Sequence, residues 1–441
     1  MKQKPSVMNV IWLFLIVSSL AAAAFTGRME EMSRATFDSA KSAVTLAIGL
    51  IGIMALWLGV MKVAETGGLM QVIGRWLRPV MVRLFPDIPA EHPAMSAMIM
   101  NFAANILGLG NAATPLGIKA MQELDTLNPE KGTATNAMCY FLAINTSGLA
   151  IFPLGVMAVR ASAGSLDPAA IFLPTILTTA CSTGAAILIG WFLYRRSKDG
   201  VSRVPSAAPS ASTDASTPAP AGNAAPDLVK PGRVGAYIFA ALIGILIAGF
   251  GLELWQAWTS RAALTAFGQQ FLSFWFVSIF MATLLLFGYY RGVKVYEVMV
   301  DGAKDGFSTA TRIIPYLVAI LVGIGMFRAS GAFDVFVMVV QPLTSLIGMP
   351  PDVLPVALLR PLSGTGAFGV TVELVNRFPN DFIGYLASTM YGGFDTTFYI
   401  LAIYFGAVGV QKVRWALPLG LIADVVGVLA AVGICRVLWH G

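Results

Sequence analysis

Long apolar runs that hold few charged residues constrain this chain more than any other feature. Only 12% of its 441 residues are charged, whereas soluble domains carry about 25% charged residues. Runs near 20 residues long match the length that a helix needs to cross a bilayer. The runs are Met8–Thr26, Ala43–Met61, Ala134–Val159, Ala169–Leu193, Val234–Leu254, Phe271–Phe287, Ile313–Phe327, Phe382–Val408 and Leu417–Leu438. The sequence therefore predicts an all-α polytopic membrane protein.

Net charge and reactive side chains exclude several classes of protein. The net charge of +6 is typical of the cytoplasmic loops of a membrane protein, and no basic surface with interleaved aromatic residues indicates nucleic-acid binding. Cys139, Cys181 and Cys435 lie far apart in apolar runs, as small buried hydrophobic residues do. Neither histidine has metal-ligand spacing, and no catalytic motif is present in the sequence. We expect no metal, no cofactor, no nucleic-acid partner and no enzymatic activity.

The first apolar run, Met8–Thr26, follows a positively charged start, as in a signal peptide. The apolar core of a signal peptide is about 7–15 residues long, and this run is longer. We therefore expect a retained first transmembrane helix.

A stretch rich in Pro, Ala, Ser and Thr separates two halves of the chain. It has almost no side chain large enough to pack in a core, so it is expected to be a disordered linker. The predicted segments are a first repeat at 1–197, the linker at 198–232, an added transmembrane helix at 233–267 and a second repeat at 268–441.

The two halves resemble each other in sequence. Arg28–Lys41 matches Arg291–Lys304 in length, in the leading Arg and in the closing Asp-x-Ala-Lys pattern. Further on, Gly67 aligns with Gly331, and each half then contains a glycine-rich stretch followed by an apolar run with a polar interruption. The pattern indicates an internal duplication with a period near 263 residues.

The positions of Lys and Arg predict the topology. Lys2 and Lys4 place the N-terminus in the cytoplasm, and the basic residues that end the fourth run place the linker there too. The run Val234–Leu254 has no counterpart in the first half and carries the chain across once more, so the second repeat is inserted upside down. We expect a multi-pass protein of the bacterial inner (plasma) membrane with two inverted-topology repeats and an external C-terminus.

Each half contains two short apolar segments that meet at a glycine-rich stretch. In the first half they are Pro93–Leu107 and Leu116–Leu124, and each is too short to span a bilayer alone. They predict a re-entrant hairpin in which Gly108 and Gly110 permit the turn and Pro115 starts the returning helix. In the second half the corresponding segments are Pro355–Leu362, Ser363–Gly369 as the tip, and Val370–Arg377.

The apolar runs Ala134–Val159 and Phe382–Val408 carry polar interruptions that predict broken transmembrane helices. One contains Asn145-Thr146-Ser147-Gly148 and Pro153, and the other contains Gly392 to Thr397. Non-helical backbone at membrane depth is tolerated only where it is buried in protein or lines an aqueous cavity. Two hairpin tips and two breaks in matched positions are typical of a midplane substrate site, where the N-termini of half-helices favour an anion.

Candidate substrate-binding residues follow from these four elements. They are Gly108, Gly110, Asn111, Thr114, Asn145, Thr146, Ser147, Arg360, Ser363, Gly364, Thr365, Gly366, Asp395, Thr396 and Thr397. Candidate coupling residues are Asp395 and Asp424, because an ionisable group inside a membrane is costly and is commonly functional.

The same residues also have structural interpretations. Small residues permit close packing of membrane helices. Arg360 is a candidate ion-pair partner of Asp395 and a candidate ligand for an anionic solute. Asp424 fits proton coupling or a helix contact, and Glu373 is expected at the membrane interface. Asn101 and Asn105 fit either the site or a bond to a neighbouring helix.

Several stretches resemble known families. Met29–Glu65, Asn105–Pro129 and Asn145–Pro153 are similar to spore maturation protein A, and Gly306–Asp334, Pro350–Gly369 and Phe394–Gly427 are similar to spore maturation protein B. The resemblance covers residues 1–197 and 268–438, so the chain looks like a fusion of the two. It implies a nucleoside recognition, or Gate, domain, which also occurs in nucleoside transporters and in ferrous iron transport protein B.

The expected function is that of a membrane transporter-like protein that moves a small polar or anionic solute by alternating access. The alternative is a non-transporting membrane scaffold or regulator of spore or envelope maturation. Saturable solute flux in proteoliposomes discriminates between them. The lipid bilayer and the solute are the expected partners, and the sequence is also compatible with a homo-oligomer.

Overall fold

The computed structural model of the chain describes residues 7–108, 110–148, 153–196, 233–258 and 275–439. Within these ranges the regular structure is helical, apart from one isolated bridge between Thr133 and Lys412. The predicted linker, 198–232, lies outside the described residues. The helices before it are α1 (Val7–Thr26), α2 (Met29–Thr66), α3 (Leu69–Leu84), α4 (Pro93–Ile106), α5 (Gly110–Thr126), α6 (Asn136–Thr146), α7 (Leu154–Ser162) and α8 (Phe172–Arg196).

The helices after the linker follow a similar order. They are α9 (Arg233–Ala257), α10 (Phe276–Tyr290), α11 (Val295–Ala329), α12 (Ala332–Ile347), α13 (Leu354–Leu359), α14 (Gly364–Arg377), α15 (Phe382–Gly393), α16 (Thr397–Gly406) and α17 (Ala416–Leu438). The long helices α2 and α11 head the two halves, the hairpins α4–α5 and α13–α14 follow, and the pairs α6–α7 and α15–α16 are helices broken in the middle.

Several helices have the length and composition of membrane spans. Among the described residues, Met29–Thr66, Pro168–Arg196, Phe239–Gln256 and Ala416–Leu438 are long and apolar enough to cross a bilayer, and α11 continues into α12 through a bend of 86°. Trp12–Thr26 is a shorter apolar helix. The predicted all-α, polytopic, membrane-type fold is confirmed.

Both hairpins exist, but their turns are shorter than predicted. Helix α5 begins at Gly110, so Pro115 lies inside this helix and the prediction that it starts the returning helix is wrong. Helix α14 begins at Gly364, because the Ser363 side chain accepts a hydrogen bond from Gly366 N and caps the first turn. The predicted tip Ser363–Gly369 is therefore mostly helix, and the turn itself is Arg360–Ser363.

The amphipathic helices α3 and α12 correspond closely to each other. Each has 16 residues and an internal proline, Pro79 or Pro342. Each is preceded by a left-handed glycine, with φ of 85° at Gly68 and 82° at Gly331. Only glycine adopts this conformation readily. Gly68 is therefore the structural counterpart of Gly331, and the sequence alignment that paired Gly67 with it was shifted by one residue.

The first long helices of the two halves, α2 and α11, pack along each other in antiparallel directions. Gly306 faces Ala55 near one end of the contact, and Gly325 faces Ser39 near the other. Between backbones this close, a Cβ added at Gly306 would lie 2.5 Å from the Ala55 Cα. Small residues thus permit the close packing on which membrane helix association depends.

Two hydrophobic cores each combine elements from both halves. The first core joins α4, α5 and α6 to Ile400, Tyr404 and Phe405 of α16. The second joins α13, α14, α15 and α17 to Val156 and Met157 of α7. Each hairpin therefore packs against a half-helix from its own half and a half-helix from the other half. The helix breaks lie where these cores meet.

Candidate functional site

The breaks of the two interrupted helices touch each other. The backbone N–H of Asp395 donates a hydrogen bond to the carbonyl of Thr146, with an N···O distance of 3.0 Å. Gly148 has a φ of +77°, and a Cβ at this position would lie 2.6 Å from the Cα of Phe394. Glycine is required there because the two chains meet backbone to backbone. The interrupted segments therefore form a single polar centre that both halves share.

Arg360 leaves the turn of the second hairpin and reaches this centre. It is buried, with 8% exposure. Its Nε donates to the carbonyl of Tyr391 and its Nη1 donates to Thr396 Oγ1, each at 2.9 Å. Its guanidinium carbon lies 4.4 Å from the centre of the Tyr391 ring. The planar guanidinium is thus held by α15, by the α15–α16 break and by an aromatic face.

Asp395 completes an ion pair and faces a cavity. Its Oδ1 lies 3.5 Å from Arg360 Nη2, and its side chain remains 46% exposed. It accepts a hydrogen bond from the backbone N–H of Thr396 at 2.8 Å. The cavity has a volume of about 60 Å³, and its lining includes Asn105, Thr114, Asn145, Asp395 and Tyr399. The predicted Arg360–Asp395 proximity is present in the structure.

The first hairpin is tied to the first break by asparagine side chains. Asn105 Nδ2 donates to Asn145 Oδ1 at 2.8 Å, and Asn145 Nδ2 donates to the carbonyl of Phe141. Asn101 donates to the carbonyl of Ala113 and to the hydroxyl of Tyr404. From the sequence, both asparagines could belong to the site or bond to a neighbouring helix. Asn105 lines the cavity, whereas Asn101 holds the hairpin together and anchors it to α16.

The glycine-rich turn of the first hairpin has the expected backbone. Gly108 has a φ of +70°, and Gly110 begins α5. Thr114 lines the cavity one turn later. The side chain of Asn111 lies outside what the structure describes, so its predicted role stays a prediction.

The turn of the second hairpin lies against the second break. A Cβ at Gly364 would lie 2.9 Å from Thr396 Oγ1, so glycine permits the close approach. The backbone N–H of Phe398 donates to the carbonyl of Pro361 at 3.0 Å. Thr365 interacts with the Ser363 cap at 3.3 Å. Of the predicted residues here, Ser363 and Gly366 hold the start of α14, and Arg360 pairs with Asp395, which lines the cavity.

Other predicted residues have bonding partners in neighbouring helices. Ser147 Oγ lies 3.0 Å from Thr183 Oγ1 of α8, whereas Thr146 Oγ1 donates to the carbonyl of Ala143 within its own helix, α6. Thr397 Oγ1 donates to Asp424 Oδ2 of α17 at 2.7 Å. The candidate residues thus separate into a group around the cavity, a group that bonds to α8 and α17, and a group that bonds within its own helix or helix cap.

Some contributors were missed at the level of sequence. Tyr391 offers both a carbonyl and a ring to Arg360, and Tyr399 lines the cavity. Aromatic residues in apolar runs are normally interpreted as core residues. The one sequence feature that could have indicated a role in the site was their proximity to the Gly-Gly break. Glu373, expected at the membrane interface, forms an ion pair with Arg328 at 3.4 Å. In the described part of the chain no group of three or more His, Cys, Asp or Glu residues could hold a metal ion.

The helices α5, α7, α14 and α16 begin beside the two breaks. Helix N-termini carry the positive ends of helix dipoles. Together with the buried guanidinium, this arrangement favours a negatively charged group, whereas Asp395 and the amide oxygens accept hydrogen bonds or a cation. Paired hairpins, paired broken helices and a shared polar centre define a class of polytopic membrane protein in which the two halves meet at that centre.

Comparison with known proteins identifies the family. The family model for Gate, nucleoside recognition, matches residues 47–163 and 310–411. Spore maturation protein A of Bacillus subtilis (strain 168) is 45% identical over 194 residues, which are 44% of this chain and 99% of that protein. The chain therefore belongs to the nucleoside recognition (Gate) family, as a membrane protein of the spore maturation type.

The second half has a separate relative. Spore maturation protein B of Bacillus subtilis (strain 168) is 47% identical over 169 residues, which are 38% of this chain and 95% of that protein. Two proteins that are separate chains there each match part of this chain, as expected for a fusion. No solved structure matches the chain significantly.

Proposed function

We propose that this protein is a transporter that moves a small polar or anionic solute between its two halves by alternating access. The observation that carries the proposal is the contact of the two helix breaks at Asp395 and Thr146, beside a polar cavity. A scaffold has no need for a cavity lined by Asp395 and two asparagines at this depth. Transporters place broken helices at the solute site.

The solute-binding group in this proposal is Arg360. Its guanidinium is permanently charged, and its Nη2 points to a half-exposed carboxylate. An anionic group of a solute can take the place of that carboxylate without disturbing the bonds to Tyr391 and Thr396. The N-termini of α14 and α16 add positive dipole ends nearby.

The cavity is small in this conformation. Its volume is about 60 Å³, whereas ligand pockets commonly measure about 300–1,000 Å³. A solute of even modest size requires the hairpins to separate from the broken helices. Opening on alternate sides is the motion that our proposal requires.

Contacts between the halves support the inverted repeat on which this motion depends. Arg291 Nε donates to the carbonyl of Gly67 at 2.9 Å. At the equivalent place, Thr26 Oγ1 donates to the carbonyl of Ser330 at 3.0 Å, and Arg28 lies beside Gly331. Contacts exchanged in this reciprocal way, with α2 antiparallel to α11, are expected of two repeats related by a twofold axis in the membrane plane.

Loop contacts also support the predicted orientation in the bacterial inner membrane. Gln411 N donates to the carbonyl of Gly132 at 2.8 Å, so these two loops share a side. Leu166 N donates to Asn380 Oδ1 at 2.8 Å, which joins the loops at the other side. The predicted topology assigns the first pair to the cytoplasm and the second pair to the outside, so it agrees with both contacts.

Flux measurements in proteoliposomes test the proposal. Phosphate, succinate and uridine serve as probes for a small anion, a carboxylate and a nucleoside. We expect saturable flux of at least one probe with the unmodified protein, and its loss in Asp395→Asn and Arg360→Gln. Asp301→Asn is the matched control, because Asp301 forms an exposed ion pair with Lys304. Absence of saturable flux for every probe, with normal insertion, would favour the scaffold alternative.

A further inference from the structure

We propose that Asp424 is a proton-binding site, and that binding of a proton there is coupled to solute binding at Arg360. This proposal rests on the proposed function for the coupling role alone. Asp424 lies in the middle of α17, which packs against α6, α8, α15 and α16. Its exposure is 3%.

The carboxyl group of Asp424 is poorly matched to a negative charge. Its Oδ2 accepts one hydrogen bond, from Thr397 Oγ1 at 2.7 Å, and its buried Oδ1 has no hydrogen-bond partner in the described part of the chain. It also makes no ion pair there within 4.0 Å. An unpaired carboxylate is strongly disfavoured in a dry interior. A proton on the carboxyl group removes the charge and supplies a donor.

The charged groups around Asp424 do not neutralise it. Arg360 is the cation that acts on Asp424, but its Nε and Nη1 bond to Tyr391 and Thr396, and its Nη2 faces Asp395. Asp395 itself adds a like charge. The environment therefore contains one cation for two acids.

Other titratable groups on the helices around Asp424 are engaged elsewhere. On α6, Tyr140 donates to the carbonyl of Ile187 and Cys139 donates to the carbonyl of Val413. On α8, Cys181 is exposed. On α16, Tyr404 accepts from Asn101 Nδ2 and Tyr399 lines the cavity. On α15, Tyr385 packs against Trp439. On α17 itself, Cys435 is buried in the core of the second hairpin. Arg436 of α17 lies beside Gly348.

The bonding pattern favours a proton over a metal cation. Calcium takes six to eight oxygen ligands, and magnesium takes six. In the described part of the chain, the carboxyl group of Asp424 has one hydrogen-bonding oxygen partner, Thr397 Oγ1. A proton needs a single acceptor, and the unpartnered Oδ1 provides it.

Three consecutive residues of the break connect the two acids. Asp395 pairs with Arg360, Thr396 accepts from Arg360 Nη1, and Thr397 donates to Asp424. When the breaks separate and water enters, the carboxyl group of Asp424 releases its proton to that water and becomes a carboxylate. The new negative charge attracts Arg360 away from the cavity and weakens solute binding. Protonation reverses the effect.

Infrared spectroscopy tests protonation without any solute. We expect the purified protein at neutral pH to show the C=O stretching band of a protonated carboxylic acid. The band should be absent in Asp424→Asn and retained in Asp395→Asn. Thr397→Val, which keeps the acid but removes its hydrogen bond, should shift the band to higher frequency. No such band in the unmodified protein, or a band that persists in Asp424→Asn, would overturn the proposal.

Vesicles that contain a pH-sensitive dye test coupling separately. Addition of phosphate, succinate or uridine should move protons in the unmodified protein and in Asp301→Asn, and should not do so in Asp424→Asn. Solute flux without proton movement in the unmodified protein would overturn the coupling role. Absence of all flux would remove the proposed function and the coupling role together. The infrared band would still decide whether Asp424 holds a proton.

Discussion

Replacing the two members of the Arg360–Asp395 pair should have unequal effects on stability. Arg360 is 8% exposed, whereas the side chain of Asp395 is 46% exposed and faces the cavity. An ion pair with a half-exposed partner is screened by solvent and contributes about 0–1 kcal/mol. In Asp395→Asn, the amide oxygen can still accept from Thr396 N. We therefore expect this variant to lose about 1 kcal/mol or less.

Arg360→Gln should destabilise the protein more than Asp395→Asn. The charged donor makes two hydrogen bonds of 2.9 Å, and bonds to charged groups contribute about 1.5–3 kcal/mol each. The ring contact with Tyr391 is lost as well. A shorter Gln restores part of this bonding, so we expect a loss of about 3–5 kcal/mol in stability.

The assay compares melting temperatures in detergent, together with flux of the probe solute, for both single variants and the double variant. Asp395→Asn should melt close to the unmodified protein and carry no flux. Arg360→Gln should melt clearly lower. The reasoning is refuted if the two single variants are equally unstable and the double variant is rescued, because the pair is then structural. It is also refuted if Asp395→Asn retains full flux.

Three further predictions follow from the packing of the two halves. Gly148→Ala should destabilise the protein by about 1–3 kcal/mol, because φ is +77° and a Cβ meets Phe394. Gly155→Ala is the control with nothing within 4 Å, and an equal melting temperature for both variants would contradict the close contact of the breaks. A chain cut near Ala215, with α9 kept on the second fragment, should co-purify as two fragments because α2 packs along α11; fragments that separate would show that the linker does more than tether. Reporter fusions at Ser210 and after Gly441 should report opposite sides, and the same side for both would exclude the inverted repeat.

The sequence predicted the features that have local signals. Gly148 and Gly392 interrupt apolar runs, so the breaks could be located from backbone chemistry alone. Asp395 and Arg360 were recognised because charge inside a membrane is expensive. The similarity of the two halves was visible because their glycines and prolines recur at a nearly fixed interval. The alignment of the halves was wrong by one residue at Gly67.

What sequence could not predict depends on neighbours distant in the chain. Helix α14 begins at Gly364 because Ser363 caps it. Serine is equally common in turns, so the sequence alone did not distinguish a cap from a turn. The bond from Asn105 to Asn145 and the ring of Tyr391 under Arg360 arise from the docking of hairpins on broken helices. Hydrophobic periodicity gives the same pattern whichever helices meet.

Access of water to the cavity from both sides of the membrane is the most direct test of the central claim. Thr114 lines the cavity, so Thr114→Cys in a chain that also carries Cys181→Ser can be treated with a membrane-impermeant thiol reagent. The reagent is added to one side of the membrane at a time, and the chain without the introduced cysteine is the control. Alternating access predicts labelling from either side. Labelling from one side only, or from neither side, would contradict it.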